Sequence, residues 1–394
     1  MGFMNEYIKR KLSAIDLQSE LQKLISEYNK IRGAFTLVYI SAIGKHAQIP
    51  DVSLSQDDYY LIHDLLRDIN SAKLDFYIET PGGSAEAAEE IVECLRNKFP
   101  HVSFVVSGEA KSAGTIMVLS GDEIIMTETG SLGPIDAQVK IGRSVISAFD
   151  YVEWINTKRE EAQKAGRLNP FDATMIAQIS PGELSGVYNA LKYAEDLVVD
   201  WLVKYKFKSW TVTETRKIPV TEELKKKRAN EIVTELINHA KWRSHGRSIK
   251  VTDLESMGLK IFKAESNPQL SEVIYRIQTV CRLLFSSSDV YKIFATEKDR
   301  VVKRATPVSL IQQKIPSGVK AEVAEIQTKC PQCGKTHKLY AKFVNDPQID
   351  KDLQKKGSVA FPKDNKLKCS CGYEIDLGGI KNDLESKVGK KIIT

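Results

Sequence analysis

Two short turns in the first third of the chain contain residues that could carry out nucleophilic chemistry. The first is Glu79-Thr-Pro-Gly-Gly-Ser84, where two adjacent glycines allow a sharp turn and leave backbone N–H groups unobstructed. The second is Glu109-Ala-Lys-Ser-Ala-Gly-Thr115, where Ser112 lies among small residues. Each turn follows a strand-like segment and precedes a helix-like one. A serine at such a position gains nucleophilicity from the helix N-terminus and from neighbouring amides.

Spacing alone leaves two interpretations of these turns. In the catalytic one, Ser112 Oγ is the nucleophile, and the backbone N–H groups of Gly83 and Ala113 form an oxyanion hole. In the structural one, both segments are tight strand-to-helix turns and Ser112 caps a helix.

A second group of reactive side chains lies near the C-terminus. Cys330-Pro-Gln-Cys333-Gly and Cys369-Ser-Cys371-Gly are two paired motifs with 35 residues between them. Four thiolates at tetrahedral distance suit Zn²⁺, and His337 could replace one ligand. Disulfides are not expected in a cytosolic chain. The pattern predicts a structural zinc site in a zinc ribbon with a long insert.

Alternating strands and helices must position the two turns. This order predicts parallel βαβ units and an α/β fold. Residues 5–31 are expected to form a single amphipathic helix, and helical patterns dominate residues 148–240. The predicted strands are 35–40, 74–79, 102–107 and 123–126, and the predicted helices are 56–70, 84–98 and one that opens near residue 112.

Composition places the chain among soluble globular proteins. It has 394 residues, of which 42% are hydrophobic and 27% are charged. No apolar run reaches the ~18–20 residues that span a bilayer, and the charged N-terminus does not resemble a signal peptide. Six cysteines are too few for a disulfide scaffold. A cytoplasmic protein without a membrane span is therefore expected.

The charges are unevenly distributed. Residues 1–200 carry 19 Lys/Arg and 29 Asp/Glu, whereas residues 201–394 carry 38 and 22. The cysteine-containing tail, residues 325–394, has 14 Lys, 9 acids and no Arg. A basic zinc ribbon can bind nucleic acid, but arginine is the commoner residue for base recognition. Nucleic-acid binding is therefore possible but not favoured over pairing between the halves or between subunits.

Four motifs together resemble a known family, the Clp/crotonase-fold serine peptidases. The sequence is most similar to signal peptide peptidase A and the SDH (serine dehydrogenase) proteinases. The resemblance rests on the two turns above, on Gly130-Ser-Leu-Gly-Pro-Ile-Asp136, and on Ser244-His-Gly-Arg247 followed by Met257-Gly-Leu-Lys260. It covers roughly residues 31–262 and implies a Clp/crotonase-type spiral of ββα units with helical additions.

The resemblance and the local sequence patterns together predict a division of the chain into four parts. Residues 1–30 would be an N-terminal amphipathic helix and 31–262 the peptidase domain. Residues 263–324 would be a helical extension and linker, and 325–394 the zinc-ribbon domain.

Site residues follow from the resemblance position by position. Ser112 would be the nucleophile, with the backbone N–H groups of Gly83 and Ala113 as oxyanion donors. Gly82 and Gly133 would line the substrate cleft.

The general base is less directly indicated. The sequence has no histidine between His101 and His239, so the histidine of the Clp triad is absent. Lys164, 52 residues after the serine, resembles the lysine base of signal peptide peptidase A. A lysine acts as a base only when its charge is suppressed. Lys158 and His245 are the alternatives.

The expected function is that of a soluble, ATP-independent serine endopeptidase that cleaves extended or unfolded peptides. No phosphate-binding Gly-x-x-x-x-Gly-Lys-[Ser/Thr] motif is present. The resemblance also implies a homo-oligomer. The alternatives are a catalytically inactive Clp-fold scaffold whose zinc ribbon binds protein or nucleic acid, and an acyl-CoA enzyme of the crotonase type, which would not need a serine at position 112.

Overall fold

A computed structural model describes residues 2–45, 49–135, 138–141, 144–244, 246–305, 322–388 and 390–393. The chain divides into two compact units. The first comprises Met1–Ser286 and Val290–Lys303, and the second comprises Ser287–Asp289 and Arg304–Thr394. The serine and glycine turns lie in the first unit and the paired cysteines in the second, so each candidate site belongs to one unit.

The N-terminal segment forms two helices, α1 (Phe3–Lys9) and α2 (Ala14–Arg32). The single helix predicted over residues 5–31 is wrong for a local reason. Lys11 adopts a left-handed φ of 50°, and Ser13 starts a new helix through a capping box with Asp16.

Seven strands form the main sheet of the first unit. They are β1 (Phe35–Ser41), β2 (Lys73–Glu79), β3 (His101–Val106), β5 (Glu123–Met126), β9 (Phe262–Lys263), β10 (Val290–Ala295) and β11 (Arg300–Arg304). Their order across the sheet is β11-β10-β1-β2-β3-β5-β9. The run from β1 to β9 is parallel, and β10 is antiparallel to β1. The carboxyl ends of the parallel strands meet at one edge, where the serine and glycine turns begin.

Short strands extend this edge. β4 (Glu109–Ala110) pairs in parallel with β6 (Ser131–Leu132), and Thr80 bridges to Ala110. β2 therefore leads through this bridge into α4 (Ala85–Lys98), and β3 leads through β4 into α5 (Ala113–Leu119). This strand–strand–helix succession places both turns side by side.

Helices cover the two faces of the main sheet. Neighbouring strand residues point to opposite faces, so Leu37 packs in the larger core and Val38 in the smaller one. The larger core includes residues of α3 (Gln56–Leu66), α4, α5, α8 (Pro181–Trp201) and α9 (Glu222–Leu236). The smaller core includes residues of α1, α2 and α12 (Pro268–Ser287).

The other elements of the first unit surround this sheet. A third apolar cluster joins α6 and the first half of α8. These elements are β7 (Gln138–Ile141), β8 (Ser144–Ser147), α6 (Ala148–Ala165), α7 (Pro170–Ile176), a π-helical turn (Leu202–Lys206), α10 (His239–Trp242), α11 (Val251–Ser256) and a 3₁₀ turn (Ala264–Ser266). Of the described helices, none combines the length and the apolar composition needed to cross a membrane.

The segment expected as a helical extension and linker, residues 263–324, has a different role in its first part. It supplies α12, which packs on the sheet, and the strands β10 and β11. Local sequence patterns do not indicate this role, because β10 pairs with β1, which lies more than 240 residues earlier in the chain. Most of the predicted linker, residues 306–321, lies outside the described residues.

The second unit consists of small hairpins and two helices around its own apolar core. β12 (Val323–Lys329) and β13 (Thr336–Lys342) are antiparallel, and β14 (Val359–Ala360) runs parallel to β13. β15 (Lys366–Lys368) and β16 (Glu374–Asp376) form a second antiparallel pair. The two helices are α13 (Pro347–Lys355) and α14 (Gly378–Val388).

Candidate functional site

Ser112 lies at the junction of β4 and α5 in a strained conformation. Its φ of 48° and ψ of −116° are unusual for a residue with a side chain. Such backbone strain costs on the order of 1–3 kcal/mol and is concentrated at active sites. The Ser112 side chain makes no capping hydrogen bond to α5. The helix-cap interpretation therefore lacks the interaction that defines it, and the hydroxyl is left available for other chemistry.

The two glycines allow the neighbouring turn to approach Ser112. A Cβ on Gly82 would lie 2.7 Å from the Ser112 Cβ, and a Cβ on Gly83 would lie 2.3 Å from the Leu54 carbonyl oxygen. Their φ values of 104° and 149° also disfavour any residue with a side chain. Both positions therefore require glycine for steric and conformational reasons.

The bridge between Leu54 and Gly83 determines where Gly83 directs its backbone groups. Leu54 N–H donates to Gly82 O at 2.7 Å, and Ser84 N–H donates to Leu54 O at 3.0 Å. In a parallel bridge of this kind, the N–H and C=O of the central residue point away from the partner strand. The Gly83 amide is therefore turned away from Leu54.

Ala113 offers a second backbone amide. As the first residue of α5, it has no helical hydrogen-bond acceptor for its N–H. Among the described residues, neither this N–H nor that of Gly83 donates a hydrogen bond. Two unengaged donors therefore belong to residues that line the same cleft as Ser112, and an oxyanion hole requires donors of this kind.

A cleft of about 390 Å³ contains these groups. Its wall is apolar where α5 and α8 contribute Ile116, Ala190 and Ala194. The residues that line it are Ser53, Pro81, Gly82, Gly83, Ser84, Ala85, Glu86, Ser112, Ala113, Ile116, Ile135, Gln138, Ala190, Tyr193 and Ala194.

The titratable side chains that line the cleft are poor candidates for a base. Ser84 Oγ donates to Glu86 at 2.7 Å, and this hydrogen bond lowers the pKa of Glu86. Burial and a hydrogen bond to Glu89 raise the pKa of Tyr193. Among the described lining residues there is neither a lysine nor a histidine.

The structure does not bring the predicted lysine bases to this lining. Lys164 is exposed at the end of α6. Lys158, on the same helix, forms ion pairs with Glu161 at 2.9 Å and Asp172 at 3.2 Å, and hydrogen bonds to these carboxylates raise the pKa of Lys158. His245 lies outside the described residues.

Lys111 adjoins Ser112 in sequence but is directed elsewhere. Its Nζ lies within 3.3 Å of four oxygen acceptors, on Ser131, Leu132, Arg247 and Ser248. Burial lowers the pKa of Lys111, while these acceptors favour the charged ammonium. The side chain therefore connects the serine turn to β6 and to the segment before α11.

Gly133 lies behind the serine turn and is not among the residues that line the cleft. A Cβ at this position would lie 2.8 Å from Lys111 Cδ. Its N–H donates to Thr115 Oγ1 at 3.0 Å. Gly133 therefore supports the serine turn, and Ile135 and Gln138 further along the same segment reach the cleft.

A buried ionic network that sequence analysis missed fixes the other side of the cleft. Asp58 accepts hydrogen bonds from Lys292 at 2.6 Å, Lys303 at 3.0 Å and Tyr39 at 3.1 Å. Lys292 also donates to the Ser53 carbonyl oxygen at 2.6 Å. The network thus holds the segment that places Leu54 against Gly83. In the sequence, this network is indicated locally by Lys292, a lysine within the apolar run of β10.

The paired cysteines converge in the second unit. The Sγ atoms of Cys330, Cys333, Cys369 and Cys371 lie within 4.8 Å of one another. Two pairs, Cys330–Cys371 and Cys333–Cys369, have Sγ atoms 3.6 Å apart. A disulfide requires about 2.05 Å, whereas four sulfurs around Zn²⁺ at about 2.3 Å are separated by about 3.8 Å. His337 Nε2 lies 3.2 Å from Cys369 Sγ and is therefore adjacent to the four thiols.

Tight turns present these thiols. Gly334 and Gly372 have φ values of 74° and 88°, and each donates its N–H to the carbonyl oxygen of the first cysteine of its pair. The first turn lies between β12 and β13 and the second between β15 and β16. The arrangement can hold one metal ion between two hairpin tips.

Comparison with known proteins finds a match to part of the first unit. Residues 56–178 match the family model described as ClpP-like SDH-type serine proteinase. The resemblance to SDH proteinases inferred from the motifs is thereby confirmed over this segment, which contains both turns. The chain has a mixed α/β fold.

Two uncharacterized proteins of Methanocaldococcus jannaschii are similar over shorter stretches. One is 38% identical over 80 residues, 19% of this chain and 28% of that protein. The other is 36% identical over 66 residues, 17% of this chain and 23% of that protein. The matches thus span about a quarter of the length of these relatives.

Two solved structures also align with the chain. A serine-to-alanine variant of the membrane-bound stomatin-specific protease 1510-N is 14% identical, with a TM-score of 0.31, over 56% of this chain and 79% of that one. An asparagine-to-aspartate variant of ClpP1 from Listeria monocytogenes is 12% identical, with a TM-score of 0.33, over 61% of this chain and 98% of that one.

Proposed function

We propose that the protein is a serine endopeptidase that cleaves extended or unfolded polypeptides without ATP. The observation that carries this proposal is the strained Ser112, free of a capping bond, beside the unengaged amides of Gly83 and Ala113. The match of residues 56–178 to a serine proteinase family supports it. The expected compartment is the cytoplasm.

In the proposed reaction, Ser112 Oγ attacks the carbonyl carbon of a substrate peptide bond as a base removes the hydroxyl proton. The negative charge that develops on the carbonyl oxygen is stabilised by the N–H groups of Gly83 and Ala113. The C–N bond then breaks, the amine leaves with a proton, and an ester to Ser112 remains. Water hydrolyses the ester and restores the serine.

The orientation of Gly83 favours an extended substrate. Its N–H and C=O face away from Leu54, so they can pair with the backbone of a peptide that adds as a further strand. Backbone pairing of this kind selects conformation more than sequence. The small apolar residues of the wall, Ala190 and Ala194, suit contact with varied side chains.

Lys164 is the proposed general base, and Lys158 and His245 are the alternatives. A lysine must lose its charge to accept the serine proton, and an exposed lysine is normally protonated. Lys164 can therefore serve only if another surface covers it and brings it to the cleft. This requirement agrees with the expected homo-oligomer, in which a second copy of the chain supplies that surface.

We also propose that the four cysteines bind structural Zn²⁺ in a zinc ribbon. The sulfur separations suit tetrahedral thiolate coordination, with His337 as an alternative ligand or a donor to Cys369. Zinc would connect two hairpins whose own core is small. The ribbon would then capture substrate or partner proteins, and nucleic acid is the less favoured partner.

The experiment that tests the peptidase proposal is cleavage of casein by the wild type, Ser112→Ala and Ser256→Ala, each purified with zinc retained. Ser256 is an exposed serine at the end of α11 and is the matched control. We expect the wild type and Ser256→Ala to cleave casein and Ser112→Ala to be inactive. Equal cleavage by all three, or none by the wild type, would contradict the proposal.

A second candidate function is favoured by one observation, that the described lining of the cleft contains neither a lysine nor a histidine. The protein would then be an inactive scaffold that binds extended peptides or partner proteins. In that case, the wild type and Ser112→Ala would bind casein equally and neither would cleave it.

A further inference from the structure

A second cavity of about 520 Å³ lies at the opposite end of the main sheet from the serine. It opens at the amino ends of β2, β3 and β5, where Lys73, His101 and Glu123 are the first residues of their strands. No residue that lines it also lines the cleft around Ser112. It is therefore a separate site, and a ligand could occupy it whether or not the protein is a peptidase.

Two arginines form ion pairs with the three acidic groups of this cavity. Arg32 forms ion pairs with Asp75 at 2.8 Å and Glu123 at 2.5 Å. Arg96 forms an ion pair with Asp122 at 2.6 Å. Carboxylates held in this way are poor ligands for an added cation, because a metal ion would have to displace an arginine.

The lysines of the cavity lack such partners. Within the described part of the chain, Lys73, Lys206 and Lys260 have no carboxylate oxygen within 4.0 Å. The Lys206 ammonium has only a long contact, 3.5 Å, to the Asp122 carbonyl oxygen. Three lysines therefore line one cavity without a direct carboxylate partner, and Glu123 and Asp122 act on Lys206 only at longer range.

An irregular backbone segment places Lys206 there. Residues Leu202–Lys206 form a π-helical turn, closed by a hydrogen bond of 2.7 Å from Phe207 N–H to Leu202 O. The Arg96 guanidinium stacks 3.9 Å from the centre of the Tyr205 ring and fixes this turn. π-helical turns are rare and frequently occur at functional sites.

Two residues that line the cavity, Asp75 and Glu123, belong to a polar row that crosses the sheet. Thr36, Asp75, Ser103 and Glu123 are in register on four adjacent strands. Asp75 is buried, and its Oδ1 has no hydrogen-bond partner among the described residues. A water molecule or a ligand hydroxyl that entered the cavity would satisfy this acceptor.

We propose that this cavity binds a small molecule that carries a phosphate group. A phosphate offers nearly two negative charges and several acceptor oxygens, which suits three unpaired ammonium groups better than a single carboxylate does. The volume exceeds the need of a phosphate alone and leaves room for a small hydroxylated group. The class is therefore a phosphate monoester of metabolite size.

The protonation of Lys206 provides a second signature. Burial, with a contribution from the charge of Lys260, lowers the pKa of Lys206 to about 8, although Asp122 and Glu123 oppose the shift. A bound phosphate would stabilise the ammonium and raise this pKa, so binding must weaken as the pH rises through this range. The phosphate monoester itself is fully ionised there, because its second pKa is about 6.

The experiment is calorimetric titration of the full chain with glycerol 3-phosphate and with inorganic phosphate at constant ionic strength. The variants are Lys206→Met and Lys260→Met, and Lys208→Met is the control, because Lys208 is exposed and does not line the cavity. We expect saturable one-to-one binding that is about tenfold or more weaker in Lys206→Met and in Lys260→Met but unchanged in Lys208→Met. Wild-type affinity should fall between about pH 7 and pH 9.

Three results would overturn the proposal. The first is an absence of saturable binding by the wild type at up to about 10 mM of either ligand. The second is an equal loss in Lys208→Met, which would indicate diffuse attraction by surface charge. The third is equal affinity for succinate, which would remove the preference for phosphate. Circular dichroism verifies that each variant is folded, and Lys260→Met, at an exposed position, tests the site even if Lys206→Met does not fold.

Discussion

Gly83 combines two requirements in one residue. Its backbone keeps a positive φ of 149°. It also passes so close to Leu54 that a side chain would not fit, while its amide points away from that residue. An alanine would place its Cβ 2.3 Å from the Leu54 carbonyl oxygen and displace the turn. We therefore expect Gly83→Ala to lower kcat about 100-fold or more, as the loss of an oxyanion donor does.

Gly186 is the matched control for this substitution. It lies inside α8, and a Cβ there would meet nothing within 4 Å. Gly186→Ala should keep full activity and gain about 0.5–1 kcal/mol in the free energy of unfolding, because alanine is the better helix former. Casein cleavage and urea unfolding measure the two effects. Equal activity of both variants would remove Gly83 from the proposed oxyanion hole.

Glu79 is the last residue of β2 and the first of the glycine turn, and it is fully buried beside Arg282. Burial raises its pKa to about 7, although the Arg282 charge opposes the shift. Its protonated form therefore stabilises the fold, and this contribution is complete below the unfolded-state pKa near 4.5 and is lost as the pH rises through about 7. We expect the free energy of unfolding to fall by up to about 3 kcal/mol over this range.

The isosteric variant Glu79→Gln isolates this effect, because glutamine keeps the shape of the protonated side chain and does not titrate. Urea unfolding at about pH 5 and about pH 8 should show a smaller difference for Glu79→Gln than for the wild type. Identical differences in the two proteins would assign the pH dependence to other groups.

At the scale of elements, the cleft depends on contacts between distant segments. Asp58 on α3 holds Lys292 of β10 and Lys303 of β11, and Lys292 in turn holds Ser53. Asp58→Asn would leave two lysines without their carboxylate, one of them buried. We expect a loss of about 3–5 kcal/mol in the free energy of unfolding and a fall in kcat/KM, because Leu54 would no longer be fixed against Gly83.

Asp57 is the natural control, since it is adjacent in sequence and exposed. Asp57→Asn should change the free energy of unfolding by less than about 0.5 kcal/mol. Activity is measured at a temperature at which circular dichroism shows both variants folded. Similar unfolding energies for the two variants would mean that the network does not stabilise the cleft.

The distance along the chain between interacting residues decides which elements could be predicted from the sequence. Strands β1, β2, β3 and β5 and the two turns between them are encoded locally, by apolar runs followed by glycine or small residues. The break before Ser13 depends on one left-handed residue, Lys11, which the apolar periodicity of this segment does not indicate. The role of β10 depends on pairing with β1, and no local pattern specifies a partner so far away.

The residues of the candidate site likewise differ in whether local sequence or distant contacts determine their position. Ser112, Gly82 and Gly83 could be found from the sequence because their types and spacing serve local backbone geometry. A base can come from anywhere in the fold, so its identity depends on tertiary or quaternary contacts. The predictions of Lys164, Lys158 and His245 therefore stay predictions.

At the scale of the whole molecule, the proposed metal should stabilise one unit and not the other. The second unit has a small core, whereas the first has two larger ones. Removal of zinc by a chelator should make the second unit sensitive to limited proteolysis and leave the first unit resistant.

Elemental analysis gives the matching chemical test. We expect one zinc per chain in the wild type and in Cys94→Ser, because Cys94 belongs to α4 of the first unit and is not one of the four converging cysteines. Cys330→Ser should lose most of its zinc, since it removes one of four ligands. A full zinc content in Cys330→Ser, or none in the wild type, would contradict the proposed site.

The proposed homo-oligomer would determine whether the cleft acquires a base. Lys164 is exposed and Ser112 lies in a cleft whose described lining contains no amine, so the proposed pair should form between copies of the chain. We expect Ser112→Ala and Lys164→Ala each to be inactive alone. Their equimolar mixture should regain about a quarter of wild-type activity once subunits exchange, because half of the chains supply each intact residue. An inactive mixture would place the pair within one chain, and an active Lys164→Ala would direct the search to Lys158→Ala and His245→Ala.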